Sequence, residues 1–207
     1  MPVHPLWRPY VVPSDAQVAA ARIGPQAHRP LAVVAPDPAW AGTYERLAAA
    51  IRDALGPVAL AVEHVGSTSV PGLWAKPIID VSVVVADPDD EDTYVPPLTA
   101  RGLVLSIREP DWERHRLLRD EAPAANVHVW GPESPEHNRM RLFRDHLIAD
   151  AGGRAAYGRF KAELAEHGFA DVMHYNNAKS ALVYDIYERA FAADPEHEHD
   201  PQPRPGR

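Results

Sequence analysis

The sequence predicts an α+β fold: a mixed sheet of about five or six strands carrying a Gly-Ser turn, backed by helices and followed by a C-terminal helical layer. Three observations carry that expectation. Residues 58–65 and 78–85 are apolar runs of strand length, separated by Gly66-Ser67-Thr68-Ser69 and by Pro71-Gly72. Ahead of them, Trp40, Tyr44, Leu47, Ile51 and Leu55 recur at helical spacing. Beyond residue 134, three successive stretches repeat a helical stripe.

The 207 residues suit one domain with an adequate core, and 45% hydrophobic with 24% charged residues is a globular balance. No apolar run approaches the ~20 residues of a membrane span, and MPVHPLWRPY lacks the apolar core of a signal peptide. With no cysteine there is no disulfide, thiolate ligand or thiol nucleophile. A cytoplasmic location is expected. The net charge of −8 speaks against nucleic-acid binding through bulk charge. Much of it lies in Asp87, Asp89, Asp90, Glu91 and Asp92 and in the tail acids Glu196, Glu198 and Asp200.

Residues 1–30, rich in Pro, Ala and Arg, read as a partly ordered extension with a short helix near 15–22. The folded domain is expected over 31–192, opening with a short edge strand at 31–34. Asp37-Pro38 starts the first long helix as cap and first helical residue, and Gly56-Pro57 ends it. In the strand at 78–85, Ile79, Val81, Val83 and Val85 share a wholly apolar face, which must pack on helices. The opposite face sets Asp80 beside Ser82 and is expected to open onto a cleft. A helical segment from Asp89-Asp90 is interrupted by Pro96-Pro97 and closed by Gly102. Strands follow at 103–107, 115–119 and 126–130. Helices then begin at Ser134-Pro135, around Tyr157 to Leu164, and at Asp171, and residues 193–207 read as a disordered tail.

Small hydroxyl residues after a glycine at a strand end leave room for a phosphate and offer it N–H groups. A carboxylate inside a run of Ile and Val is costly unless it meets a cation or a partner. Gly66, Ser67, Thr68, Ser69 and Asp80 therefore form a candidate phosphate-and-metal site. A tight turn whose neighbouring Asp caps a backbone N–H gives the same pattern. Lys76, Arg119, Arg144, Lys161 and Lys179 lie in or beside core elements of an acidic chain. Lys179 stands in the stripe between Tyr175 and Leu182, either as a cation aimed at ligand oxygens or as a snorkelling stem or partner of Asp145. His64 and His128 are each a candidate base or metal ligand, or a hydrogen-bonded structural histidine.

The string His64-Val65-Gly66-Ser67-Thr68-Ser69-Val70-Pro71-Gly72-Leu73, with Lys76-Pro77-Ile78-Ile79-Asp80, resembles the signature of the GrpB family, a branch of the nucleotidyltransferase-like superfamily. The resemblance extends over roughly residues 31–192: Pro36-Asp37-Pro38-Ala39-Trp40 is similar to that family's opening segment, Asn126-Val127-His128-Val129 to its later strand, and Phe143-Arg144-Asp145 to its helix. Tyr157, Lys161 and Lys179 fall where the family carries similar residues. The resemblance implies a nucleotidyltransferase-like fold in which the Gly-Ser turn holds phosphates and the strand carboxylate holds a divalent cation, Mg²⁺ or Mn²⁺. Some members are fused to dephospho-coenzyme A kinase. The wider superfamily places two carboxylates one residue apart, whereas here the partner position is Ser82.

The expected function is thus to bind a nucleotide or another phosphorylated or carboxylated small molecule, coenzyme-like ligands included. Asp80, His128 and Lys179 would carry any metal-assisted transfer, with Glu63 joining Asp80 and His128 on the metal. Ser67, Ser69 and Lys76 would hold the anion while Arg119, Arg144 and Lys179 close the far side. The alternatives are a ligand-binding or regulatory module without transfer chemistry, and a ligase or transferase acting on a small metabolite.

Overall fold

A five-stranded sheet, ordered β1-β2-β5-β4-β3, organises the computed structural model, which describes residues 2–24, 32–169 and 172–204. Its strands are β1 (Ala61–Val65), β2 (Ile79–Val84), β3 (Val104–Glu109), β4 (His115–Glu121) and β5 (Ala124–Trp130). Only β2 and β5 run parallel; the other neighbours are antiparallel, so the sheet is mixed. The helices are α1 (Asp15–Ala21), α2 (Ala39–Leu55), α3 (Val95–Thr99), α4 (Pro135–Ala149), α5 (Ala151–Glu166) and α6 (Val172–Ala193). None of the described helices is long and apolar enough to cross a membrane.

The period-2 reading of β2 holds on its apolar side. Ile79, Val81, Val83 and Val85 are buried with Val127 and Val129 of β5 beneath Trp40, Tyr44, Ala48, Ile51 and Leu55 of α2. Each such aliphatic side chain contributes about 1.5–3 kcal/mol when fully buried, so this face fixes the register of the central strands. Ala48 rather than Leu47 is fully buried on α2, because a small residue lets the helix approach the sheet. Asp37 Oδ1 accepts the Ala39 N–H at 2.8 Å, and Pro38 takes the N-cap position. The second cluster unites Val70 and Leu73 after the glycine turn with Leu147, Tyr157 and Ile186 of α4, α5 and α6. This helical layer meets the turn rather than the apolar face.

Several boundaries differ from expectation. The edge strand at 31–34 reduces to one bridge between Val34 and Ala75, residue 31 lying outside the described residues. The strand at 58–65 begins only at Ala61, since Gly56–Val58 forms a 3-10 turn. Pro96 and Pro97 do not interrupt a helix; they occupy the first turn of α3, where the missing N–H groups cost nothing. Asp171, the expected start of the last helix, lies outside the described residues. Residues 194–204, read from composition as disordered, lie against α6 and the N-terminal segment. His4 Nε2 and His197 Nδ1 both reach Asp194 Oδ2 at 2.9 Å, His199 bonds Glu188 and Arg204 pairs with Asp185. The Leu6 N–H donates to His4 Nδ1, which places the ring hydrogen on Nε2, facing Asp194.

Candidate functional site

The register of the sheet decides which polar residues meet. Asp80 lies between Val65 of β1 and Asn126 of β5, and Ser82 between Glu63 and His128. Arg119 of β4 is paired with Asn126, and Leu117 with His128, so Arg119 shares the face of Asp80. Asn126 Nδ2 donates to Asp80 Oδ1 at 2.8 Å, and His128 Nε2 stands 3.9 Å from the same oxygen. Burial opposes ionisation of Asp80, but His128, Asn126 and Lys76 outweigh it and hold the carboxyl below its usual pKa. It is a carboxylate at neutral pH.

Gly66 makes this approach feasible. Its backbone, at φ 70° and ψ −169°, occupies a region open essentially to glycine. A Cβ there would lie 2.4 Å from Asp80 Oδ2. The hydroxyls that follow divide their work. Thr68 is buried and donates to the Ile78 carbonyl, and Ser69 donates to the Gly66 carbonyl, so both brace the turn. Ser67 Oγ instead accepts from Lys161 Nζ at 2.8 Å.

Three lysines converge here from separate elements. Lys161 on α5 is 2% exposed and sits 4.3 Å from the Tyr157 ring centre. Lys76 and Lys179 flank the Tyr175 ring at 5.1 and 5.4 Å. The Tyr175 hydroxyl is buried without a hydrogen-bond partner among the described residues. Burial pushes the Lys161 amine down to about 6, helped by Lys179 and Lys76 and resisted by Asp80. Burial and Lys76 lower Lys179 to about 8 against the same carboxylate. Among the described residues, neither Lys161 nor Lys179 forms an ion pair with a carboxylate at contact distance. Of the chain's 21 basic residues these three are its lysines; the rest are arginines.

The chain as a whole is matched by known proteins. The family model described as GrpB protein covers residues 30–189. The chain belongs to the GrpB family. A UPF0157 protein of Halalkalibacterium halodurans is 50% identical over 156 residues, covering 75% of this chain and 80% of that protein. A UPF0157 protein of Streptomyces coelicolor is 46% identical, with 76% and 82% covered. The crystal structure of a conserved GrpB protein from Enterococcus faecalis aligns with a TM-score of 0.70 at 30% identity, covering 77% of this chain and 96% of that one. A dephospho-CoA kinase of Mycolicibacterium paratuberculosis is 29% identical over 90% of this chain, which spans only 51% of that protein. The α+β architecture is thus the GrpB version of the nucleotidyltransferase-like fold.

Within this GrpB fold, several expected site residues serve other ends. Ser82 does not face an open cleft: it is 0% exposed, with Oγ 2.8 Å from His137 Nδ1 under α4. Glu63 does not join Asp80, because Arg144 takes it at 3.3 Å. Arg144 also donates to the His64 carbonyl at 2.8 Å and to Asp145 at 2.7 Å, so it ties α4 to β1 rather than closing a ligand site. That bond leaves Asp145 with Arg144 instead of Lys179. His64 is on the other face, opposite Val81, stacked on Tyr44 at 4.4 Å. Thr68 spends its hydrogen on Ile78, so His64 Nε2 must donate to Thr68 Oγ1. Burial first, then Arg144, lowers His64 to about 4 despite Asp80, and its ring is neutral.

The divalent-cation centre of the wider superfamily needs adjacent carboxylates, and the donors present do not fit it. Among the described residues near the turn they reduce to Asp80 and His128, with Ser82 bonded to His137 and Glu63 to Arg144. Two further residues complete the face and were not singled out by spacing. His115 Nδ1 lies 2.7 Å from Glu109 Oε2, and its Nε2 lies 3.1 Å from His128 Nδ1. Burial is the main force lowering His115 to about 4, against the attraction of Glu109.

Proposed function

We propose that this GrpB domain binds a nucleotide or a coenzyme-like phosphate ester over the Gly66–Ser67 turn and presents it to Asp80 and His128 for group transfer. The observation that carries the proposal is the gathering of every lysine in the chain around one carboxylate. Burying ammonium groups together costs free energy unless something anionic repays it. Two of the three have no carboxylate in contact among the described residues. A phosphate supplies the missing charge, accepts from all three ammonium groups and gives the Tyr175 hydroxyl an acceptor. The relatives named dephospho-CoA kinase favour a ligand of the nucleotide or coenzyme class. In this reading Arg119, which shares the face of Asp80, would meet the far end of such a ligand.

The test is thermal unfolding with ATP, ADP and dephospho-coenzyme A, each with and without Mg²⁺ or Mn²⁺. A ligand at 100 times its Kd adds about 2.7 kcal/mol. A rise in melting temperature that disappears in Lys161→Met and Lys179→Met is expected. No shift with any of the three compounds would overturn the reading. A second reading is favoured by the buried Ser82: a ligand-binding module without transfer. It predicts the same thermal shift, indifferent to metal, with no turnover of labelled nucleotide.

A further inference from the structure

We infer that Glu109 and His115 are positioning residues that make His128 a proton acceptor in this site, with Nε2 as its working atom. Three contacts fix where the hydrogens lie. Glu109 is an acceptor, so the 2.7 Å contact requires a hydrogen on His115 Nδ1. His115 is 3% exposed, and a neutral ring with its hydrogen on Nδ1 has a bare Nε2. That lone pair sits 3.1 Å from His128 Nδ1, which must supply the next hydrogen. In the neutral His128 ring the chain ends with a lone pair on Nε2, directed toward the Asp80 carboxylate; the protonated ring is the form that favours the ionised carboxyl.

The separation of 3.9 Å from Asp80 Oδ1 is too long for a direct hydrogen bond. Asn126 fixes that oxygen from the other side at 2.8 Å. The gap is therefore held open, not closed by an His128–Asp80 bond. Ring packing locks the arrangement. His115 stacks on Trp130 at 4.2 Å and on His128 at 5.2 Å, while Trp112 meets His115 edge-on at 5.3 Å. Flipping either imidazole would keep its plane and its stack but put carbons where the bonding nitrogens are, and so break the hydrogen-bond chain.

The chemistry this permits is general-base catalysis on a hydroxyl brought beside Asp80. The O–H bond breaks, an N–H bond forms on His128 Nε2, and the oxygen keeps the electron pair; as it bonds to a phosphorus of the ligand, the bond from that phosphorus to the bridging oxygen of the departing phosphate or alcohol breaks, and that group leaves with the electron pair. The imidazolium so formed faces the Asp80 carboxylate, which stabilises it. This role rests on the phosphorylated-ligand reading, whereas the tautomer does not depend on it.

The experiment combines ¹⁵N NMR of the histidine rings above neutral pH with carbethoxylation by diethyl pyrocarbonate, read by mass spectrometry. The wild-type protein is expected to show His128 protonated at Nδ1 and bare at Nε2, and to react at His128. His115→Phe keeps the stack but removes both nitrogens; the His128 hydrogen should move to Nε2 and its carbethoxylation should be lost. If that variant does not fold, Glu109→Ala releases the far end of the chain and should lower the Nδ1-protonated population. A wild-type ring protonated at Nε2, or a tautomer unchanged in both variants, overturns the inference. A protein with the stated tautomer but no nucleotide-induced thermal shift overturns the phosphorylated-ligand reading instead, and leaves the positioning chain standing.

Discussion

Replacing Gly66 by alanine tests how the turn and the carboxylate were brought together. Two costs are distinguishable. The backbone at φ 70° and ψ −169° penalises any Cβ, at about 1–3 kcal/mol. The Cβ would also stand 2.4 Å from Asp80 Oδ2, 2.9 Å from its Cβ and 3.0 Å from its Cγ. Relieving such overlap by displacing Asp80 from Asn126 costs about 1–3 kcal/mol more. Gly56, at φ 50° and ψ −126°, offers the control, since a Cβ there meets nothing within 4 Å. Both single variants should lose the backbone contribution, and Gly66→Ala alone should lose the second. For a chain of this size the excess corresponds to a melting temperature about 2–12 °C lower than that of Gly56→Ala. Adding Asp80→Ala to Gly66→Ala should recover most of that excess, because the obstructing side chain is gone. Differential scanning calorimetry of the three variants and the wild type decides the matter. Equal losses in Gly56→Ala and Gly66→Ala, or no recovery in the double variant, would refute the packing of turn on carboxylate.

Two further substitutions probe the charges. Lys161 has a folded-state pKa of about 6, far below its unfolded value, so between the two the unfolded chain binds the extra proton and stability rises with pH. Lys161→Met should therefore be more stable than wild type in the absence of ligand, by a margin that grows as pH falls toward 6 and then levels off; melting curves across that range check it, and a pH-independent difference counts against a neutral buried amine. Ser82→Asp restores the second carboxylate on β2, yet at a 0% exposed position against His137. Loss of a few kcal/mol, about 3 or more, is expected for a poorly compensated buried charge, without a Mn²⁺-dependent rise in melting temperature; such a rise would show that the β2 face accommodates a cation there.

How much of this was legible beforehand follows from the range of each interaction. The alternation in β2 assigned Asp80 and its apolar back correctly, since side-chain parity is local to one strand. The same parity could not place Ser82, because whether α4 covers that face depends on residues 50 positions and more away. Glu63 and His64 are adjacent, so the parity of β1 sends them to opposite faces. The register with β2 then decides which of them faces Asp80, and it chose Glu63. That residue was lost to Arg144, which the sequence offers as one basic residue among many. Glu109 and His115 were the hardest to see. They meet across a β3–β4 pairing that contains a bulge at Leu105/Ile107, and a shift of one residue would have turned them apart.

The distribution of cations argues most strongly for where ligand binding would occur. The acidic run that makes the chain negative is not surplus charge. Arg108 and Arg116 bond Glu91, while Arg114 and Arg116 bond Asp87 and Asp89, neutralising one edge of the sheet. Arg139 holds Glu136, and Arg144 holds Glu63 and Asp145. In these pairs guanidinium meets carboxylate, as its planar fork favours. Lys161 and Lys179 follow the opposite rule, with no carboxylate at contact distance among the described residues. The three lysines sit around Ser67 and Tyr175, and burial lowers the Lys161 amine to about 6, with Lys179 and Lys76 adding to it, and the Lys179 amine to about 8, with Lys76 adding to it. An arginine would stay charged there whether or not a ligand was present. A lysine with a depressed pKa can lie neutral in the empty site and take up a proton as an anion enters, so the charge appears where and when it is needed. That property would be of little use in an ion pair made only for stability. It fits a site that must exist both empty and filled.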